Sequence, residues 1–277
     1  MKMKKTTLGM MMAATLLASS CLSEEQNLEP KNEGSQKGKI VLNLSTETNF
    51  DEQTRALNEA DFRNTANYTV QLLQGSTVIE TWRGPQSNLE FERTIGSNNS
   101  YTIKAFYGTE EKASRNTFYV EGSTSFILAA DDEKEVNVNC APTCGKISAV
   151  FDNAMATYYD DYSIEYSGTQ ALGSEKLTWA KNDTEPWYVL LKEGGEEISY
   201  TISLKAKEAY QHIDKDGNKS ETGVATGKFT LKRNEAHKLT VKPNYIPNEN
   251  GTFTLTITVD ETTNDRVVPI EVPVEWI

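Results

Sequence analysis

Few residues of this chain have the type and spacing that chemistry requires. No G-x-S-x-G, H-E-x-x-H or G-x-G-x-x-G occurs, so hydrolase-elbow, zinc-peptidase and dinucleotide chemistry lack their usual carriers. Gly223-Val-Ala-Thr-Gly227-Lys228-Phe229 superficially matches a phosphate loop. Its glycine spacing is one residue short, Phe229 replaces the hydroxyl that would hold magnesium, and the segment leads into a strand. Asp214-Lys-Asp216-Gly217-Asn218-Lys-Ser220-Glu221 has the oxygen density of a calcium loop, but its glycine comes too early for an EF-hand and no helical pattern flanks it. It reads as a hydrophilic hairpin tip.

The carboxylate pairs Asp131-Asp132 and Asp160-Asp161 would serve glycoside hydrolysis only if two acids faced each other across a cleft. Among 40 acidic residues such pairs are unavoidable, so they receive no catalytic role. A non-enzymatic protein without metal or cofactor is expected. Aromatic rings stack on the apolar faces of sugars, and Trp82, Trp179, Trp187 and Trp276 with Tyr158, Tyr159 and Tyr188 are the stock for it. Packing accounts for most of them. Trp187-Tyr188, behind Pro186, is the candidate glycan-binding pair.

Cys140 and Cys144 are separated by Ala-Pro-Thr. Outside the cytoplasm such a pair either closes a small-loop disulfide or stays as two thiols. A zinc site is disfavoured, because two cysteines supply half the ligands and neither His212 nor His237 has suitable spacing.

The third cysteine sits elsewhere. Lys2, Lys4 and Lys5, the apolar run from Leu8 to Ala18 and the small Ser19 and Ser20 have the layout of an export signal, with a core too short to span a bilayer. Ala18-Ser19-Ser20-Cys21 resembles the lipobox of bacterial lipoproteins, which implies lipidation of Cys21 and a membrane anchor of two or more acyl chains. Glu24-Glu25 just behind it resembles the surface-export signal of Bacteroidetes lipoproteins, which favours the outer membrane, lipid-anchored, facing the exterior. Without the three signal lysines, 25 basic residues face 40 acidic ones, a net charge of −15. Such a surface repels nucleic acid, which is excluded as a partner.

The elements that would position any site are strands. Period-two alternation, the mark of a sheet with one wet face, recurs at Ile40, Leu42, Leu44, at Tyr68, Val70, Leu72 and at Tyr101, Ile103, Ala105. It returns at Ile198, Tyr200, Ile202, Leu204, at Leu239, Val241, and at Phe253, Leu255, Ile257, Val259. Helix is scarce; residues 52 to 62 are the best candidate and read equally as an ordered loop. Pro269 and Pro273 lack amide donors and place their strand at a sheet edge or give it bulges.

The two halves share landmarks. Gly38-Lys39-Ile40 parallels Gly145-Lys146-Ile147, Asn67-Tyr68-Thr69-Val70 parallels Asp161-Tyr162-Ser163-Ile164, and Tyr101-Thr102-Ile103 parallels Tyr200-Thr201-Ile202. Phe126 precedes Val136 by the same ten positions that separate Phe229 from Leu239. The expected organisation is a signal peptide at 1–20 and a lipidated flexible tether at 21–37. Two tandem immunoglobulin-like antiparallel β-sandwich domains follow at 38–139 and 140–277, an all-β fold.

The second half resembles the Bacteroidetes family called domain of unknown function 4493, and the first resembles the strand block that opens such proteins. The residues that carry this are Gly38-Lys-Ile-Val-Leu-Asn-Leu-Ser45 with Thr54-Arg55-Ala56, Cys140 and Cys144 before Gly145-Lys-Ile-Ser-Ala-Val-Phe-Asp152, Tyr159-Asp-Asp-Tyr162 and Phe253-Thr-Leu-Thr-Ile-Thr-Val259. They are packing motifs, so the resemblance implies a fold and no activity. The location suits a surface binding or adhesion protein whose partner is a glycan or another surface protein. A lipidated two-sandwich precursor also resembles the Bacteroidetes fimbrillins, pilus subunits in which cleavage after a basic residue removes the first strand and another subunit's strand fills the groove. Arg55 stands at a suitable place for that cut.

Overall fold

The structure, a computed structural model, describes residues 36–50, 57–84, 88–96, 98–214, 216–247, 253–263, 266–272 and 274–276. Cys21, Arg55, Pro273 and most of the expected signal and tether lie outside them. Residues 36–277 form one compact unit.

The unit is built from strands. In the first half these are β1 (Lys37–Thr46), β2 (Thr69–Gln74), β3 (Thr77–Arg83), β4 (Asn88–Thr94), β5 (Ser100–Gly108), β6 (Ala113–Ser114), β7 (Tyr119–Ile127) and β8 (Glu133–Pro142). The second half has β9 (Cys144–Phe151), the single α-turn α1 (Met155–Tyr158), β10 (Tyr159–Ser167), β11 (Leu177–Ala180), β12 (Trp187–Leu190) and β13 (Glu196–Ala206). It continues with the short hairpin β14 (His212–Ile213) and β15 (Lys219–Ser220), then β16 (Thr222–Leu231), β17 (Ala236–Pro247), β18 (Phe253–Thr263), β19 (Arg266–Val272) and β20 (Glu275–Trp276). Of the helix candidate at 52 to 62, residues 52–56 lie outside the described residues and the last part is the 3-10 turn Glu59–Arg63; a second 3-10 turn, Thr65–Asn67, follows it, and each is opened by an asparagine whose side chain accepts a bond from an otherwise orphaned amide.

The halves repeat one topology. The run β3-β2-β5-β7 in the first matches β11-β10-β13-β16 in the second, and β4-β1-β8 matches β12-β9-β17. In the first half β7 also pairs with β8, Val120 opposite Pro142 and Glu121 opposite Ala141, which joins both runs into one seven-stranded sheet, whereas in the second they belong to two sheets. In both, the first strand lies parallel to the last, β1 with β8 and β9 with β17, so neither sandwich is wholly antiparallel. The additions are β18 and β19 beyond β17, β6 beyond β12, and β20 beyond β16. Pro269 sits in β19, the edge strand of its sheet, opposite Asp260 of β18.

Pairing registers align the halves residue by residue. Val70 opposes Trp82 and Ala105 as Ile164 opposes Trp179 and Ile202, so Trp82 and Trp179 are counterparts. Tyr101 faces Phe126 and Ile198 faces Phe229, so the tyrosine landmark slips by two: Tyr200 is the counterpart of Ile103. A slip of two keeps the same face inward, which is why the alternation concealed it. The two cores follow this pattern, one around Ile40, Leu42, Val70, Ile103 and Val138, the other around Ile147, Ile164, Trp179, Ile202 and Leu239.

The opening glycines have one shared cause. A Cβ on Gly38 would stand 2.7 Å from Leu128 Cγ, and one on Gly145 2.4 Å from Leu231 Cδ2. The two leucines are counterparts, each two residues past the paired Phe126 or Phe229. The Gly-Lys-Ile motif is thus a close-approach device at the start of each sandwich.

Candidate functional site

The most elaborate polar arrangement lies where the halves meet. Only Thr143 separates β8 from β9, so the end of the first sandwich at which its opening strand finishes abuts the end of the second at which its opening strand starts. Phe50, Phe62 and Phe118 bring rings from three segments of the first half, and Tyr188 on β12 meets them: Phe118 and Tyr188 stack at 4.9 Å, Phe62 and Phe118 at 3.7 Å. β6 leaves the first half and pairs with β12, Tyr188 opposite Ser114.

Inside this apolar seal are two charges. Glu59, 2% exposed, and Lys146, 3% exposed, form an ion pair of 2.8 Å, and the Tyr188 hydroxyl donates to the same carboxylate oxygen. Burial, and then the neighbouring Glu59, hold the Tyr188 hydroxyl far above its ordinary pKa, so it remains a donor. A buried pair adds little net stability over an apolar replacement, yet losing one partner strands a charge. Around the rim Arg115 reaches Asp183 through both guanidinium nitrogens, one at 2.6 Å, and lies 4.4 Å above the Trp187 ring. Asn49 donates two bonds to Asn234 across the same boundary, from its amide N–H to Oδ1 at 2.8 Å and from Nδ2 to the carbonyl oxygen at 2.9 Å.

The glycan-binding reading of Trp187-Tyr188 is corrected here. Tyr188 is 1% exposed and sealed against Phe50 and Phe118, and Trp187 is half-buried beneath Arg115, so the pair offers no open platform to a sugar. Neighbours on a strand point to opposite faces, and here each face is already occupied. The other aromatic candidates divide similarly. Trp179 is buried with Nε1 donating to Asp183 O at 3.0 Å, Tyr159 is buried, Trp82 packs on Phe91 at 4.5 Å, and Tyr158 is partly exposed. The Trp276 side chain is outside what is described.

Cys140 and Cys144 are free thiols, both buried. Cys140 points at Ala105 O, 3.7 Å away, and burial pushes its pKa up to about 12; burial raises Cys144 further. Both are held as neutral packing groups. Among the described residues no group of three or more His, Cys, Asp or Glu converges as a metal site would. Asp214 accepts from the amides of Asp216 and Asn218 and from the Asn218 side chain, which satisfies the calcium-like loop internally as a hairpin tip. Thr222–Leu231, with the phosphate-loop look-alike, is a strand throughout.

One open feature is concave. Beside the junction a cleft of about 450 Å³ lies between the first 3-10 turn, the start of β2, the end of β5 and the segment after β6. Phe106 and Tyr107 supply aromatic surface, and Asp61, Asn67 and Asn116 supply acceptors and donors. Sequence reading missed it because its lining comes from four segments with no shared motif. Alternation did mark β5, but Phe106 is on the strand's polar face.

A family model described as a domain of unknown function, DUF4493, matches residues 36–274. No curated protein matches the chain. Among solved structures it is similar to a candidate cell adhesion protein from Bacteroides eggerthii, at 10% identity and TM-score 0.45, covering 83% of this chain and 97% of that one. It is similar to a candidate adhesin from Bacteroides ovatus, at 8% and 0.43, covering 85% and 96%. It is also similar to the fimbrial anchor protein Mfa2 from Porphyromonas gingivalis, at 11% and 0.40, covering 86% and 100%. Likeness at this level does not carry function from those proteins to this one.

Proposed function

The chain belongs to the DUF4493 family, and on that footing we propose that it is a non-catalytic cell-surface protein, lipid-anchored through Cys21 on the exterior of the outer membrane, with a binding or adhesion role. The observation that supports this most is the sealed junction. Charges, rings and cysteines that could have been reactive are consumed in fixing one sandwich against the next, the work of a rigid presenter and not of an active site. The anchor follows from the lipobox alone. Cys21→Ser tests it: metabolic acyl labelling disappears and the protein leaves the membrane fraction, while unchanged processing and retention would refute it. Protease added to whole cells distinguishes the exterior from the periplasmic face.

For a ligand, the cleft at Phe106 suits a neutral glycan. Among the described residues its one charged lining group is Asp61, and the mature surface carries a net charge of −15, which disfavours anionic ligands. Sugar hydroxyls would donate to Asp61 and pair with the Asn67 and Asn116 amides, while an apolar sugar face lies on Phe106. Retention on neutral-polysaccharide affinity gels that Phe106→Ala abolishes is the expected result. Failure of every neutral polysaccharide to retard the protein would refute the glycan reading.

The second reading, a fimbrillin-like subunit processed after Arg55, draws support from one observation. β1 lies between β8 and β4 with Ile40, Leu42 and Leu44 all buried, so removing it would open an apolar groove with a strand on either side. The same cut would also remove Phe50 and Asn49 from the junction. The mature N-terminus decides: Ala56, with a ladder of heat-resistant oligomers, supports strand exchange, and Cys21 excludes it.

A further inference from the structure

The repeat presents one sheet edge twice, once covered and once bare. In the second half β12 carries β6 on its outer edge, with Ser114 opposite Tyr188 and Ala113 opposite Val189. β6 belongs to the first half, so one sandwich lends a strand to the next. Arg115, directly after β6, lays its guanidinium 5.0 Å from the Trp179 ring and 4.4 Å from the Trp187 ring, with Asp183 taking both nitrogens. Backbone pairing and a cation over two rings cover that edge together.

The first half has the same edge without the cover. Gly38 opposes Arg93 as Gly145 opposes Val189, and Ile40 opposes Phe91 as Ile147 opposes Trp187, so β4 is the counterpart of β12 and Phe91 of Trp187. With Trp82 the counterpart of Trp179, the two rings that hold Arg115 recur as Trp82 and Phe91, which meet at 4.5 Å. β4 is the last strand of its sheet, and among the described residues it pairs with β1 alone. Trp82 and Phe91 are half-buried, whereas Trp179 is buried completely. One residue departs from the repeat in a way that bears on the occupant. Arg93 stands where the second half has Val189, and its Nε is buried with no hydrogen-bond partner among the described residues.

We propose that β4 is a strand-acceptor edge, on which an extended segment of another protein pairs antiparallel as β6 pairs with β12. The register defines what that segment carries. An arginine falls opposite Phe91 and lies over Trp82 and Phe91, as Arg115 lies over Trp179 and Trp187. Two residues before it, opposite Arg93, the place of Ala113 is taken by an aspartate or glutamate that accepts from the unpartnered Nε, an opposite-charge pair across the strands. The recognised sequence is therefore acid-x-Arg. Glu90 and Glu92 on the outer face are held by Lys39 and Lys37, at 3.1 and 3.0 Å, and charges along an edge deter indiscriminate pairing. A second copy of the chain is a poorer donor. The connection that matches β6 in the second half runs from Lys207 to Glu221, between β13 and β16, and no acidic residue there is followed two places on by Lys or Arg. The β4 edge is separate from the cleft at Phe106 and does not depend on what that cleft binds.

The probe is a labelled peptide with the sequence of Glu111 to Thr117 in which Ala113→Glu supplies the acid, added to the chain from residue 21 carrying Cys21→Ser. Fluorescence anisotropy should show saturable binding, weakened at least about tenfold when the peptide's arginine is replaced by alanine or when the protein carries Phe91→Ala, as loss of an interface anchor implies. Phe91→Ala can also loosen the fold, so charge reversal gives a second readout. Arg93→Glu should abolish binding of this peptide and accept one with lysine in place of its glutamate. Amide hydrogen exchange should slow at β4 and stay unchanged at β12. No binding at millimolar peptide overturns the proposal, as does binding indifferent to Arg93→Glu. Exchange that stays unchanged at β4 and quickens at β6 means that the peptide displaces β6, which overturns it too. Sedimentation equilibrium of the protein alone tests the donor: association of copies that Arg93→Glu abolishes would make a second copy the occupant and overturn the assignment to another protein.

Discussion

Acidification should destabilise this protein through one histidine. His237 on β17 is 1% exposed, flanked by Ile147 on β9 and Thr263 on β18, with its ring stacked on Phe229 at 3.5 Å and 2°. Neither ring nitrogen has a hydrogen-bond partner among the described residues. Burial lowers its pKa from 6.5 to about 4. Between those values the unfolded chain takes up a proton that the fold refuses, so stability falls as pH drops below 6.5 and the loss stops growing below 4. At about 1.4 kcal/mol per unit the full loss is about 3 kcal/mol, of which about 2 is present at pH 5. For a chain of this size that corresponds to about 4–8 °C in Tm. The comparison is with His237→Phe, which keeps a ring against Phe229 and cannot titrate; the many carboxylates are common to both proteins and cancel. Thermal unfolding at pH 7 and pH 5 should show the wild type losing about 2 kcal/mol more than the variant. The chain has two histidines, so an NMR titration assigned with the variant reads the pKa directly. Parallel Tm curves, or a His237 resonance titrating near 6.5, would refute the reasoning.

Lys146→Met should cost about 3–5 kcal/mol by stranding Glu59, and adding Glu59→Gln should recover most of it, which denaturant unfolding of the single and double variants measures. Gly145→Ala should cost about 1–3 kcal/mol, because its methyl meets Leu231 and Leu191 in a packed core. Native Cys140 and Cys144 should resist iodoacetamide at pH 8 and react on unfolding; with a pKa near 12, Cys140 is thiolate at only about one part in ten thousand there. Mass spectrometry without reductant should likewise find both unbridged.

Alternation located the inward faces because half-buried strands must repeat every two residues, and Ile40, Leu42, Leu44, Val70, Leu72, Ile103 and Ile202 are all buried. The shared Gly-Lys-Ile and the equal Phe126 and Phe229 spacings reflected a real equivalence of position. Other features were beyond sequence reading for a common reason: partners remote along the chain leave no local pattern. The parallel pairing of β1 with β8 joins residues at opposite ends of a sandwich, and Glu59 meets Lys146 and Tyr188 only through the docking of the halves. β6 is two residues long and carries no period. Trp187-Tyr188 misled because an aromatic doublet looks the same whether it awaits a ligand or closes a seam. Glu52 to Phe62 misled less, since its second part is helical in the tighter 3-10 form.

The placement of β1 has a mechanical consequence. It is held by β4 on one side and β8 on the other, in register with β8 from Lys39 to Thr46. A pull from the N-terminal side is directed along this strand, so the rungs of both ladders bear tension together instead of parting one after another as a peeled hairpin would. A protein tugged between an anchor and whatever it grips would therefore slip its first strand only when many bonds yield at once.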